Sequence, residues 1–356
     1  MKQREDQEAM KIGWLCSYTP VEIPLAAGLI PVRLDAGDML LQKPNPFIYQ
    51  MLCPYVRAVF DRALQGGFGK PGGVIFTKCC DGMFRLHDLW KAHLPDQKVY
   101  ILPLPKIQSK EAVHYFAQAL RRFSESLGSH MGIRITEDDL REAIANVNRL
   151  RSAVSRLYHQ RLEKPRVMPY SKLHSLIREC LSIPPEQALS RVEKVLEDFQ
   201  NRPTDPSVTE DGVLVSSSTL DQLSIIELIE KSGLTVLADD HCIGLRHFDG
   251  QVSEEGDPYL SLAERYLKRR PCSRMQADPS HLHRLVQEVD ETGVKGLILV
   301  SLKYCDQAGF DVPKLRAMLK DRRIPMLTIE NDYTAGGLGQ LKVRIEAFAE
   351  MLKEEF

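Results

Sequence analysis

Short apolar segments alternating with amphipathic ones constrain this chain most, because strands separated by helices fold into a parallel sheet covered on both faces. In the first third KIGWLCS (11–17), LIPVRLD (29–35), GGVIFTKC (72–79) and KVYILPLP (98–105) read as strands, with the helix-like PYVRAVFDRALQG (54–66) and MFRLHDLWKAHL (83–94) among them. The last third repeats the order: GVLVSSS (212–218), LTVLADD (234–240), KGLILVSLKYC (295–305) and IPMLTIEND (324–332), interleaved with TLDQLSIIELIEKSG and VPKLRAMLKDRR. Laid over each other, the two halves set Cys80-Asp81 opposite Cys305-Asp306, and Cys16 opposite Ser216 to Ser218.

Between these halves the pattern turns helical. In GIRITEDDLREAIANVNRLRSAVSRLYHQRL, Thr136 and Asp139 have capping-box spacing, and Leu140, Ile144, Val147, Leu150, Val154 and Leu157 recur at helical intervals. The Pro- and Asp-rich NRPTDPSVTEDG (201–212) reads as a linker. The expected fold is therefore α/β, with two Rossmann-like doubly wound parallel-sheet domains and a helical insert between them. The expected boundaries are 1–108, 109–205 and 206–356.

A chain of 356 residues has room for two or three domains. Its 47 Lys and Arg balance 48 Asp and Glu, so no charge excess points to a nucleic acid or an anionic membrane. No apolar run is long enough to span a bilayer, and MKQREDQEAMKIGWLC lacks the basic-then-apolar order of a signal peptide. The expected location is the cytoplasm.

Eight cysteines, at 16, 53, 79, 80, 180, 242, 272 and 305, are then expected to be reduced rather than a disulfide framework. No pair of C-x-x-C motifs suggests a zinc site, so any metal ligands are scattered along the chain. Ligands of open α/β sheets bind beyond the carboxyl ends of the strands, which is where Cys80 and Cys305 fall. Cys53, in Cys-Pro at a helix start, sits where the positive helix end stabilises a thiolate. Three thiolates with a fourth position open would hold a cubane iron–sulfur cluster, although no contiguous ferredoxin-type spacing is present.

The landmarks CSYTPVEIPLAAGLIPV (16–32), CPYVRAVFDRAL (53–64), CCDGMFRLHDLW (79–90), VYILPLP (99–105), ADDHCIGLRHF (238–248), LAERYLKRRPCSR (262–274), LKYCD (302–306) and IPMLTIENDYTAGGLGQLKVRIEAFAEML (324–352) run in one order. In that order the chain resembles the 2-hydroxyacyl-CoA dehydratase and benzoyl-CoA reductase family, with its double-cubane-cluster relatives. The resemblance implies that Cys53, Cys80 and Cys305 ligate a [4Fe-4S] cluster. Family members usually carry a single Cys before the Asp, and Cys80 is chosen over Cys79 because Asp81 follows it. Cys242 and Cys272 match positions often occupied by cysteine and are candidates for additional iron, up to a double-cubane [8Fe-9S] cluster. Against that larger cluster, relatives that hold it carry extra cysteines where this chain has Ser216 to Ser218 and Arg274.

The resemblance further implies a hydro-lyase acting on an acyl-CoA. An ATP-dependent iron–sulfur activator supplies one electron, the thioester becomes a ketyl radical that expels the 2-hydroxyl, and the electron returns after loss of the β-proton. A homologous subunit, identical or distinct, is the expected partner. The chain has no G-x-x-x-x-G-K-[ST], so ATP use belongs to another protein. The alternatives are a low-potential reductase, of an aromatic acyl-CoA or of a small molecule, and a cluster-bearing electron-transfer subunit. The acyl group is not legible.

Glu22 and Ser216 are candidate catalytic residues, as a proton-transfer group and as a donor to an acyl oxygen or a CoA phosphate. For Glu22 and the pair Asp239-Asp240, cap or positioning roles are favoured over proton transfer, and polar residues such as Ser216 are common at strand ends. Cys180 reads as core, and Cys16 as a pocket residue. A Cys80–His87 nucleophile pair lacks an orienting third group. GGLGQ (336–340) is too short for a dinucleotide fingerprint, and Arg344 reads as an ordinary helix residue.

Overall fold

The computed structural model describes residues 10–42, 45–165, 167–200, 212–275 and 280–354; the predicted linker at 201–212, Gly212 apart, lies outside them. All eight expected strands are present. β1 (Lys11–Trp14), β2 (Ile30–Arg33), β3 (Val74–Thr77) and β4 (Val99–Leu102) pair in parallel in the order β2-β1-β3-β4. β5 (Gly212–Ser217), β6 (Thr235–Asp240), β7 (Gly296–Leu302) and β8 (Met326–Asn331) pair in parallel in the order β6-β5-β7-β8. The central strands β3 and β5 are buried along their whole length, as expected of parallel strands covered on both faces.

The two orders are the same, so the second half repeats the topology of the first strand for strand. In each sheet the order reverses beside its first strand, between β1 and β3 and between β5 and β7. Chains leaving two neighbouring strands toward opposite sides open a crevice at such a point.

The connections are helical. In the first half they are α1 (Glu22–Ala26), α2 (Pro54–Leu64) and α3 (Asp81–His93), followed by α4 (Lys110–Met131), α5 (Glu137–Glu163), α6 (Tyr170–Cys180) and α7 (Pro185–Gln200). In the second half they are α8 (Leu223–Lys231), α9 (Leu245–Phe248), α10 (Pro258–Lys268), α11 (Ser280–Thr292), α12 (Asp306–Lys320) and α13 (Ala335–Glu354). α5 starts with the full capping box: Thr136 Oγ1 accepts the Asp139 N–H, and Asp139 Oδ2 accepts the Thr136 N–H at 2.8 Å. Its six periodic apolar residues from Leu140 to Leu157 are all buried. GGLGQ forms the first turns of α13 rather than a phosphate loop.

The long helices touch both halves. α5 packs on α1 and α7 and also meets α9 and β6, while α4 packs on α10. One apolar core consequently runs from Ile12 and Phe76 through Phe116 and Leu157 to Ile225 and Ile345. Polar bridges fix the two halves further. Asp221, just past β5, accepts the Ala36 and Gly37 N–H groups at 2.8 and 3.0 Å, and Arg269 donates to Ser17 Oγ at 2.7 Å. Among the described residues no helix is long and apolar enough to cross a membrane.

Candidate metal centre

The carboxyl ends of both sheets meet at a cavity of about 310 Å³, and six of the eight cysteines line it: Cys16, Cys53, Cys79, Cys80, Cys242 and Cys305. Chain topology explains the gathering. Cys16 follows β1, Cys79 and Cys80 follow β3, Cys242 follows β6 and Cys305 follows β7. Cys53 arrives at the start of the helix between β2 and β3.

Three of them share a further property. Cys53, Cys80 and Cys305 are the N-caps of α2, α3 and α12, and none spends its side chain on capping its own helix. Three positive helix ends thus converge on one cavity, each presenting a thiol, and a helix N-terminus favours the thiolate. The turn into Cys305 is built by Tyr304, a non-glycine residue in the left-handed region at φ 61°. Such a conformation costs on the order of 1 to 3 kcal/mol and persists where surrounding packing enforces it.

The thiols act on one another. Interaction with Cys16 and Cys80, together with burial, pushes the Cys79 thiol well up, so that it keeps its proton. The protonated Cys79 beside it brings Cys16 down to about 6 against the effect of burial. It also holds Cys80 well below the usual thiol range, with help from the Arg274 guanidinium. Burial, reinforced by the charge of nearby Cys305, pushes Cys53 up to about 12. Binding a metal would therefore have to displace the Cys53 proton, as thiolate ligation requires.

The remaining lining is cationic and hydroxylic. Arg33 is 5% exposed, stacks over Trp14, and donates through Nη2 to Tyr55 Oη at 3.4 Å and Cys242 Sγ at 3.6 Å. Ser218 Oγ and Arg274 Nη2 each stand 3.7 Å from Cys305 Sγ. At the mouth, Tyr49, Met51 and Tyr304 present exposed apolar surface. Among the described residues the lining contains no His and no Glu, and its two carboxylates are Asp81 and Asp306. Ordinary acid–base catalysis has little to work with here. A sulfur-rich donor set instead suits soft metals and iron–sulfur clusters.

Among the described residues no group of three or more His, Cys, Asp or Glu closes on a single metal ion. In a cubane each thiolate binds a different iron, so its ligands stand farther apart than around one ion. The donor set fits such a group.

Other candidates lie elsewhere. Glu22 is not at the cavity: it is fully buried, accepting from Arg151 at 2.6 Å and from Tyr266 Oη at 2.9 Å. Ser216 also stays inside, its Oγ donating to Asp240 at 3.3 Å, and Ser218 is the serine of that run that lines the cavity. Cys272 is buried outside the lining, its N–H donating to Tyr18 Oη at 3.3 Å, and Cys180 is buried on α6. Asp239 accepts the Leu245 N–H and Asp240 pairs with Arg246, both positioning roles. His87 faces Asp88 and does not line the cavity. Arg344 donates to the Thr328 carbonyl at 2.7 Å. Sequence reasoning missed Arg33 and Tyr304; only an apolar strand ending in Arg and an aromatic just before Cys-Asp hinted at them.

Known proteins resemble the chain along almost its whole length. The family described as 2-hydroxyglutaryl-CoA dehydratase, D-component, matches residues 16–352. The chain belongs to this family. Family relatives include YjiM of Escherichia coli (strain K12), provisionally named a dehydratase subunit, 27% identical with 96% of this chain and 91% of that protein covered. The (R)-phenyllactyl-CoA dehydratase beta subunit of Clostridium sporogenes is 21% identical over 99% of this chain and 94% of its own length. One of the benzoyl-CoA reductase subunits of Thauera aromatica is 24% identical over 98% and 92%. Among solved structures, a ZnuA crystal structure covers 98% of this chain at 10% identity with a TM-score of 0.22, too low to show a shared fold.

Proposed function

We propose that this chain is an iron–sulfur subunit of a 2-hydroxyacyl-CoA dehydratase-like enzyme, with Cys53, Cys80 and Cys305 ligating one [4Fe-4S] cluster. The convergence of these three helix N-cap thiols on one cavity carries the reading. When bound, the cluster supplies a single electron and an open iron site to the thioester. The chain's own residues then bind and orient. Tyr49, Met51 and Tyr304 offer apolar surface to the acyl chain at the mouth, and Ser218 places a hydroxyl beside Cys305.

The names of the dehydratase relatives call them subunits, which supports a homologous subunit beside this one. The electron is proposed to come from an ATP-dependent iron–sulfur activator, since this chain has no phosphate loop of its own. An acyl-CoA is the proposed substrate and the cytoplasm the proposed location.

A second reading, a low-potential reductase, is favoured by the three further thiols in the same cavity, Cys16, Cys79 and Cys242. They offer sulfur enough for a larger cluster, though Cys272 stands outside. Iron and acid-labile sulfide per chain, measured on anaerobically purified protein, separate the two. About four irons support the single cubane and about eight the double one. No iron from iron-replete anaerobic cells overturns both. Thermal-shift titration with acyl-CoA esters then separates a substrate-binding subunit, which is stabilised, from an electron-transfer subunit, which is not.

A further inference from the structure

Three buried arginines have carboxylate or carbonyl partners, whereas Arg274 is half-buried. Arg151 has Glu22, Arg246 has Asp240, and Arg161 donates to the Val236 and Leu237 carbonyls. Arg274, in the segment after α10, does not follow this pattern. It lines the cavity, its Nη2 donates toward Cys305 Sγ at 3.7 Å, and its buried Nε has no partner among the described residues. It shares the cavity lining with Cys80, on the opposite sheet's helix. The side chains that act on it electrostatically are cysteines: Cys80, Cys305, Cys272 and Cys79.

A guanidinium taken out of water needs negative charge facing it. Here the surroundings are sulfur, which supplies that charge only as thiolate. The Arg274 guanidinium therefore stands at a cavity that Cys80 and Cys305 line from different halves of the chain.

We propose that Arg274 is a positioning residue that donates charge-assisted N–H···S bonds to Cys80 and Cys305 and raises the reduction potential of the cluster they hold. The inference rests on the iron–sulfur reading above. One-electron reduction by an external low-potential donor adds one negative charge to the cluster and its thiolates. A fixed cation beside two of those thiolates stabilises the reduced form more than the oxidised one. Hydrogen bonds to sulfur and local net charge are the established levers on such potentials.

The experiment is a dithionite titration of the anaerobically purified holoprotein followed by EPR, on the native chain, Arg274→Gln and Arg274→Lys. Iron per chain is measured alongside. Arg274→Gln is expected to keep its iron and to be harder to reduce by about tenfold in equilibrium, about 59 mV for a one-electron couple. Arg274→Lys, which keeps the charge and loses the fork, is expected between the two. A full iron complement with unchanged potential in Arg274→Gln overturns the assignment. Should that variant load no cluster, the lysine variant decides: a native potential there overturns it, and a lowered one supports it. Absence of iron from the native chain overturns the iron–sulfur reading itself and this inference with it.

Discussion

Glu22 Oε1 and Arg151 Nη2 lie 2.6 Å apart in a pair with 0% and 2% of their side chains exposed, joining α1 of the first half to the long helix α5. Tyr266 of α10 completes the arrangement by donating to Glu22 Oε2 at 2.9 Å, and Asn148 accepts from Arg151 at 3.2 Å. Every oxygen of the carboxylate is thus engaged by a residue more than a hundred positions away. A glutamate so held is a structural clasp at the junction of three helices, outside the lining of the cavity.

Removing one partner leaves the other charge buried alone, which costs about 3 to 5 kcal/mol. Glu22→Gln is therefore expected to lower unfolding stability by that order, measured by chemical denaturation. The double variant Glu22→Met with Arg151→Met is expected to recover most of it. Iron per folded chain should stay at the native level. A Glu22→Gln protein of native stability would remove the clasp from the account.

Serine substitutions test the cysteine set. Cys53→Ser, Cys80→Ser and Cys305→Ser are each expected to lose most of the iron, whereas Cys180→Ser, on a helix away from the cavity, is expected to keep it. Cys79→Ser settles which of the adjacent pair ligates. Cys80 occupies the N-cap of α3 and Cys79 is the thiol pushed well above its usual pKa, so Cys79→Ser is expected to retain the cluster with an altered spectrum. Loss of iron in Cys79→Ser with retention in Cys80→Ser would move the ligand by one residue.

The fold was legible because parallel buried strands write themselves as unbroken apolar runs, and VIFT and GLILVSL at β3 and β7 are such runs. Cys53, Cys80 and Cys305 were legible as a set because each stands at a helix start, a position that local pattern locates. What escaped has no local signature. Arg33 and Arg274 reach the cavity from opposite halves, and nothing in the letters around Arg33 distinguishes a side chain folded over Trp14 from one in water. Ser216 and Ser218 differ only by how far β5 runs before its chain turns outward, a boundary that sequence periodicity does not resolve. Glu22 looked exposed to chemistry because its partner, Arg151, is distant in sequence.

Asp221 gives the junction between the halves a pH dependence. Burial, with the Asp35 carboxylate adding to it, raises its pKa from 3.8 to about 6, while Tyr333, Arg178 and the Gly37 N–H pull the other way. Tyr55 also faces it. A carboxyl with a raised folded-state pKa contributes stability that is full below pH 3.8 and is lost as pH rises through about 6. Asp221→Asn, which stays neutral, should therefore gain on the native chain between pH 4 and pH 7. The expected gain is on the order of 3 kcal/mol, at about 1.36 kcal/mol per pKa unit. Denaturation at both pH values measures it, and a stability difference that does not change with pH would refute the shift.

The loop carrying Cys242 depends on a glycine for space rather than for backbone freedom. A Cβ on Gly244 would collide with Asp239 Oδ1, well inside any allowed contact. Asp239 cannot withdraw cheaply, because that same oxygen accepts the Leu245 N–H at 2.9 Å at the start of α9 and the residue is completely buried. Gly244→Ala must therefore shift the loop or break the bond, at the cost of about 1 to 3 kcal/mol typical of overpacked sites. Thermal denaturation reads that loss. Asp239→Ala in the same chain removes the clashing atom, so the second alanine should cost much less at residue 244 than it does alone. Equal costs in the two backgrounds would show that the clash is relieved elsewhere.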